Sequence, residues 1–160
     1  RQLKNSDWLI YFDDFNSKYD MFPKIYDVYD EGELFVCEME KIEGDTLQNN
    51  LHHELEVNKP RGISYDKEKG VVRSKVMEWI KQTHDLVGCF LEYNIEISRD
   101  RKMFIHEDIN LNNILVDSSS GKLKLIDLDS LRIYPVKKYS PFIYYARWLS
   151  ELNNHTIHLE

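Results

Sequence analysis

The chain has 160 residues, 42% of them apolar and 12% aromatic, which suits one domain or a compact pair of lobes and argues against disorder. Its 21 basic residues against 28 acidic ones leave a formal charge of −7. That balance argues against non-specific nucleic-acid binding, which draws its energy from cations neutralising phosphates.

In chain order, Asn5 to Tyr19 reads as a helix with Trp8, Phe12 and Phe15 on one stripe and Asn5 or Ser6 as its cap. Pro23 closes that unit. Lys24 to Tyr29 and Glu33 to Glu38 then form two strand-like runs around the turn signal Asp30-Glu31-Gly32, which predicts an antiparallel hairpin. Glu40 to Thr46 reads as a linker in which Gly44 is free to take an unusual backbone angle. Leu47 to Gly70 is polar and predicts a short helix followed by a mobile loop. Val72, Val76, Trp79, Ile80, Thr83, Val87, Phe90 and Leu91 fall on helical spacing, so Val71 to Tyr93 reads as a long buried helix. A second strand pair follows: NILVD, the turn Ser118 to Gly121, and KLKLIDLD. The last element is an aromatic helix over YSPFIYYARWLSELNN.

Cys37 and Cys89 both lie in apolar surroundings and read as buried structural thiols, too few for a disulfide framework. No apolar run approaches about eighteen residues, so no transmembrane segment is expected, and no signal-peptide pattern is visible. His52, His53, His155 and His158 lack a Cys or acid at ligand spacing and read as exposed. The tyrosines near Trp148 (Tyr139, Tyr144, Tyr145) fall on helical spacing, which predicts core packing rather than base stacking.

The stretch FIHEDINLNNILVD concentrates chemistry on a loop held against a short buried strand, a common setting for catalytic groups. Asp108 precedes the strand, Asn113 begins it, and Asp127 ends its hairpin partner. A hairpin returns Asp127 towards Asn113. A carboxylate and an amide together offer hard oxygen donors of the kind Mg²⁺ takes beside substrate phosphates. Asp108 is then placed to accept a proton from a hydroxyl, the division of labour that phosphoryl transfer uses.

His106-Glu107-Asp108 followed by Asn113 resembles the catalytic loop of the protein-kinase-like superfamily, H-x-D-x-x-x-x-N. Leu125-Ile126-Asp127 looks like that family's metal-delivering strand. LFVCEMEKIEGDTL resembles the strand, hinge and helix turn that join the two lobes, and the long helix before His106 resembles the one that supports the loop. The resemblance implies an α+β, bilobal fold with an incomplete N-lobe over residues 1–41 and a shortened helical C-lobe over residues 42–160. It implies ATP and Mg²⁺ as cofactors, Asp108 as catalytic base, and Asn113 and Asp127 as metal ligands, with His106 bracing the loop. The backbone at Glu40 and Ile42 would meet adenine, Met39 would line the back of that pocket, and Leu115 would lie against the base.

Departures from the pattern narrow the class. Asn110 stands where serine/threonine kinases carry a phosphate-contacting Lys, and Leu128-Asp129 replaces Phe-Gly. The Ile-Asp-x-acid order is similar to small-molecule kinases of the aminoglycoside, choline and lipopolysaccharide-sugar type, which offers Asp129 as a second metal contact. No Ala-Pro-Glu follows. The brevity and the IHED-INLNN phrasing also resemble minimal kinases that bacterial pathogens inject into host cells. Neither a glycine-rich loop nor a Val-Ala-x-Lys strand is present: either they precede Arg1, or the chain is a pseudokinase. The expectation is therefore a cytoplasmic, or host-delivered, phosphotransferase acting on a hydroxyl of a small molecule. The alternatives are a minimal kinase for protein Ser/Thr and a non-catalytic scaffold. A protein partner would use an apolar face of the shortened lobe, including Phe142, Tyr145 and Trp148.

Overall fold

The computed structural model describes residues 7–31, 34–57, 66–136 and 145–146. These form an α+β structure of three helices, seven short strands and two 3-10 turns.

Helix α1 spans Asp7–Tyr19 and buries Trp8, Phe12 and Phe15, the stripe its spacing predicts. It stops at Asp20, whose left-handed φ of 52° cannot continue a helix. The Asn16 side chain then closes over the exit, accepting the Phe22 N–H at 2.8 Å and donating to the Phe22 carbonyl at 3.2 Å. Phe22 is thereby turned inward, fully buried. Strands β1 (Ile25–Glu31) and β2 (Leu34–Met39) pair antiparallel, each reaching past the expected runs.

The segment Glu40 to Thr46 is not only a linker. Gly44–Thr46 forms a strand, β3, paired antiparallel with β5 (Ile114–Asp117). Gly44 is required there for close approach rather than for an unusual angle, because a Cβ would collide with the Val116 carbonyl. Helix α2 (Leu47–Val57) starts on Thr46, whose Oγ1 accepts the Asn49 N–H at 3.1 Å. The loop expected after it lies partly outside the described residues (58–65).

Helix α3 runs over Asp66–Ile97, past both ends of the expected 71–93. Its polar start, DKEK, reads locally as loop yet consists of residues a helix accepts. Its far end is held by Asn94. The buried amide donates to the Phe104 carbonyl at 2.8 Å and accepts the Phe104 N–H at 2.7 Å, stitching α3 to strand β4 (Lys102–His106). Strand β4 pairs antiparallel with β7 (Leu131–Pro135), and neither strand is apparent from the sequence. The expected hairpin is present as β5 with β6 (Leu123–Leu125). Its turn is closed by Asp117, which accepts from Ser119 and Ser120, and by Gly121 at φ 70°. Strand β6 ends at Leu125, so Asp127 lies beyond it rather than at its end.

One aromatic core joins these elements. The Phe15 ring lies 4.6 Å from Phe90, 5.2 Å from Tyr93 and 5.5 Å from Phe104, so α1, α3 and β4 share it across the lobe boundary expected at 41/42. Lys124 on β6 is buried and donates to Asp20 Oδ1 at 2.6 Å, fastening the exit of α1 to the β5–β6 hairpin. The closing aromatic helix lies outside the described residues except for Tyr145 and Ala146, which are helical. Tyr145 is buried 5.6 Å from Phe90, so it belongs to the core and not to an exposed face. Cys37 and Cys89 are free and half-buried rather than fully buried, and burial pushes both thiols up. His52 and His53 are exposed. Among the described residues no helix is long and apolar enough to cross a membrane.

Candidate functional site

Two strand pairs deliver the site from opposite sides. Strands β4 and β7 end and begin beside each other at His106 and Leu131, and the Glu107 N–H donates to the Ser130 carbonyl at 2.9 Å. Strands β5 and β6 bring Asn113 beside Ile126, whose N–H donates to the Asn113 carbonyl at 2.8 Å. Asp108 and Asn113 on one loop therefore face Asp127 on the other.

The Asn113 amide is the meeting point. Its Nδ2 lies 2.9 Å from Asp108 Oδ2, 2.8 Å from the Asp108 carbonyl and 3.5 Å from Asp127 Oδ2. Asp108 is exposed, and its other carboxylate oxygen accepts from Asn110 Nδ2 at 3.0 Å. Asn110, at the position where a Lys is usual in the resembled family, thus orients the carboxylate instead of offering a charge.

Asp127 takes φ 68°, ψ 55°, left-handed for a residue with a side chain. Its carboxylate accepts from Ser130 Oγ at 2.6 Å. Asp129, on the 3-10 turn (Leu128–Ser130) that Asp127 caps, brings its carboxyl against that of Asp127. That contact, with Ser130 assisting, lowers the Asp127 carboxyl, while the Asp127 carboxylate raises that of Asp129. Two carboxyls held close enough to divide a proton form a place where a cation is favourable. Asp127, Asp129 and the Asn113 amide oxygen are three hard oxygen donors, few enough to leave room for water and phosphate, as Mg²⁺ prefers. As placed, Asn113 turns its Nδ2 and not its oxygen toward both carboxylates, so the set fits the ion only with that amide reversed. Among the described residues no group of three or more His, Cys, Asp or Glu is arranged to hold a metal, so the amide is essential to the set.

His106 is fully buried and holds the two halves together. Its Nε2 donates to the Ile126 carbonyl at 2.8 Å, while its Nδ1 meets no partner among the described residues. Burial lowers its pKa, so the ring is neutral near pH 7.

The residues expected around adenine do not converge as visibly. Met39 is 39% exposed, and Glu40, Ile42 and Leu115 are half-buried. The Glu40 N–H is already taken by the Lys24 carbonyl at 2.8 Å. Leu115 pairs with Thr46, which sets it beside the end of the 40–46 segment.

Three features escape sequence reading. Ser130 fixes Asp127, and its only trace is the i, i+3 spacing of a tight turn. Glu107 is braced by Tyr134 Oη and by Arg132 Nε at 3.4 Å, contacts that exist only because β4 pairs with β7. A cleft of about 830 Å³ lies between Gly44, Trp79, Gln82 and Asp117, and none of the predicted site residues lines it. No protein-family model matches the chain, and no curated protein matches it either.

Proposed function

We propose that the chain is an ATP- and Mg²⁺-dependent phosphotransferase of the protein-kinase-like type, transferring the γ-phosphate to a hydroxyl of a small molecule. The observation that carries this reading is the Asn113 amide, set between the Asp108 carboxylate at 2.9 Å and the Asp127 carboxylate at 3.5 Å. Asp108 orients the acceptor hydroxyl and takes its proton. Asn113, Asp127 and Asp129 would hold Mg²⁺, with the Asn113 amide turned over to present its oxygen and its bonds to Asp108 given up, which leaves Asn110 to orient that carboxylate. The ion supplies charge neutralisation for the phosphates; the protein supplies position. Met39, Glu40, Ile42 and Leu115 form the nucleotide side, and His106 holds the loop.

Residues 1–41 are read as the remainder of an N-lobe and residues 42–160 as a shortened C-lobe. The order hairpin, connecting segment, long helix, catalytic loop and metal loop supports that division. The Ile126-Asp127-Leu128-Asp129 order, in place of an Asp-Phe-Gly, favours a small acceptor over a protein.

The test incubates labelled ATP and Mg²⁺ with the chain and a panel of sugars, aminoglycosides and choline, and separately with cell lysate. Label on a small acceptor supports the reading. Label on lysate proteins alone would replace it with a minimal protein kinase, and nucleotide binding without label anywhere would leave a scaffold.

A further inference from the structure

Among the described residues, β1 and β2 pair only with each other. A two-stranded ribbon is marginal in water and ordinarily needs a third strand or a packed face. One face has such packing, since Cys37 lies against the core. The opposite face carries Asp27, Tyr29, Val36 and Glu38, and the Tyr29 hydroxyl donates to Glu38 Oε1 at 3.3 Å across it. Asp27, Tyr29 and Glu38 are all exposed.

Charge defines what this face would accept. Asp27 stands directly opposite Glu38 in the register, and like charges in that position weaken a ribbon. Residues 25–40 include six acids and no Lys, Arg or His. The two edges also differ. On β1, Asp27 Oδ1 accepts the Val28 N–H at 2.8 Å, which blunts that edge from within. The outer edge of β2 takes no strand among the described residues.

We propose that the outer edge of β2 docks an extended, basic segment of a partner protein as a third strand. Backbone pairing supplies affinity and alternate side chains supply selectivity. A Lys or Arg of the segment faces Glu38 and reaches towards Asp27, and an apolar side chain lies beside Val36. A second copy of this chain is a poor occupant, because edge-to-edge pairing would bring two ribbons of five acids each together. The inference stands apart from the proposed activity.

The probe is a labelled peptide of alternating lysine and valine, titrated into the full chain and read by fluorescence anisotropy. Saturable binding that weakens with salt is expected. The double variant Asp27→Asn/Glu38→Gln, which relieves a like-charge pair and keeps the fold, should weaken binding about three- to tenfold. Methylating alternate peptide amides removes ladder donors without touching charge and should abolish binding. In the wild-type chain, peptide should protect the amides of Val36–Met39 from hydrogen exchange. No binding, equal binding by the methylated peptide or by the double variant, or protection elsewhere would each overturn the proposal. So would a dimer in sedimentation velocity that the double variant strengthens, which would assign the edge to a second copy.

Discussion

Asp127 holds φ 68°, a backbone position that costs a residue with a Cβ about 1 kcal/mol. The Ser130 hydroxyl and the Asp129 carboxyl meet its side chain there, so the strain is spent on aiming a carboxylate at Asn113. Under the proposed reading this carboxylate holds Mg²⁺, and Asp127→Asn tests it with little change of shape. Mg²⁺ with a non-hydrolysable ATP analogue should raise the thermal midpoint of the wild-type chain, since ligands bound only by the native state stabilise it. The variant should lose most of that rise while its ligand-free midpoint stays close to wild type. Equal gains in both proteins would remove Asp127 from the metal set. Asp108 has a different task. Its carboxylate is exposed and oriented by two amides, as a group that meets an acceptor would be. Asp108→Asn should cut phosphate transfer by about 10²-fold or more and leave nucleotide affinity nearly unchanged. Undiminished turnover would reduce Asp108 to a brace of its loop.

At the scale of elements, the close approach of β3 to β5 gives the sharpest expectation. Gly44→Ala places a methyl group against the Val116 carbonyl, a backbone atom that cannot swing aside. The variant should lose about 1–3 kcal/mol in denaturant unfolding. A neutral result would mean that β3 can part from β5 without cost. Gly44 also shows where sequence reading stops. The stripe Trp8, Phe12, Phe15 and the longer stripe around Trp79 and Phe90 repeat at the helical period, so α1 and the middle of α3 are legible in the residues alone. A strand of three residues such as β3 has no period to read. Strand β4 is masked for a related reason: Met103, Phe104, Ile105 and His106 are all buried, so no alternation marks it. Its pairing with β7 then stays hidden, and with it the bracing of Glu107 by Arg132 and Tyr134. Asn94 lies just past the helix end expected at Tyr93, yet it is core because its amide satisfies both backbone groups of Phe104. The cluster of Asp108, Asn113 and Asp127 is legible because loop and hairpin alone bring it together. Ser130 is not, since its hydroxyl matters only once Asp127 turns left-handed.

For the molecule as a whole, the aromatic core and the candidate site meet at His106. Its ring lies 6.4 Å from Phe22, nearly parallel to it, while its Nε2 donates to the Ile126 carbonyl beside Asp127. Burial disfavours the imidazolium more than the Ile126 carbonyl and the Asp127 and Asp108 charges favour it, so the pKa falls below 6.5 on folding. The unfolded chain therefore binds a proton at this residue more readily than the folded one. Above about pH 6.5 both states leave the ring neutral, and His106 adds no pH dependence. As pH falls through that value the unfolded state gains a proton that the folded state refuses, and stability drops until the lowered folded pKa is reached. The slope from one such group is at most about 1.4 kcal/mol per pH unit. Asp127 and Asp129 shift in opposite directions from 3.8, so their effects partly cancel. Denaturant unfolding measured from pH 7.5 to pH 5 should show stability falling towards the acid end. His106→Gln, which keeps a donor for the Ile126 carbonyl but does not titrate, should flatten that fall even though its stability at pH 7.5 is lower. An unchanged slope in the variant would place the acid sensitivity elsewhere and show that the folded state accommodates His106 in its charged form.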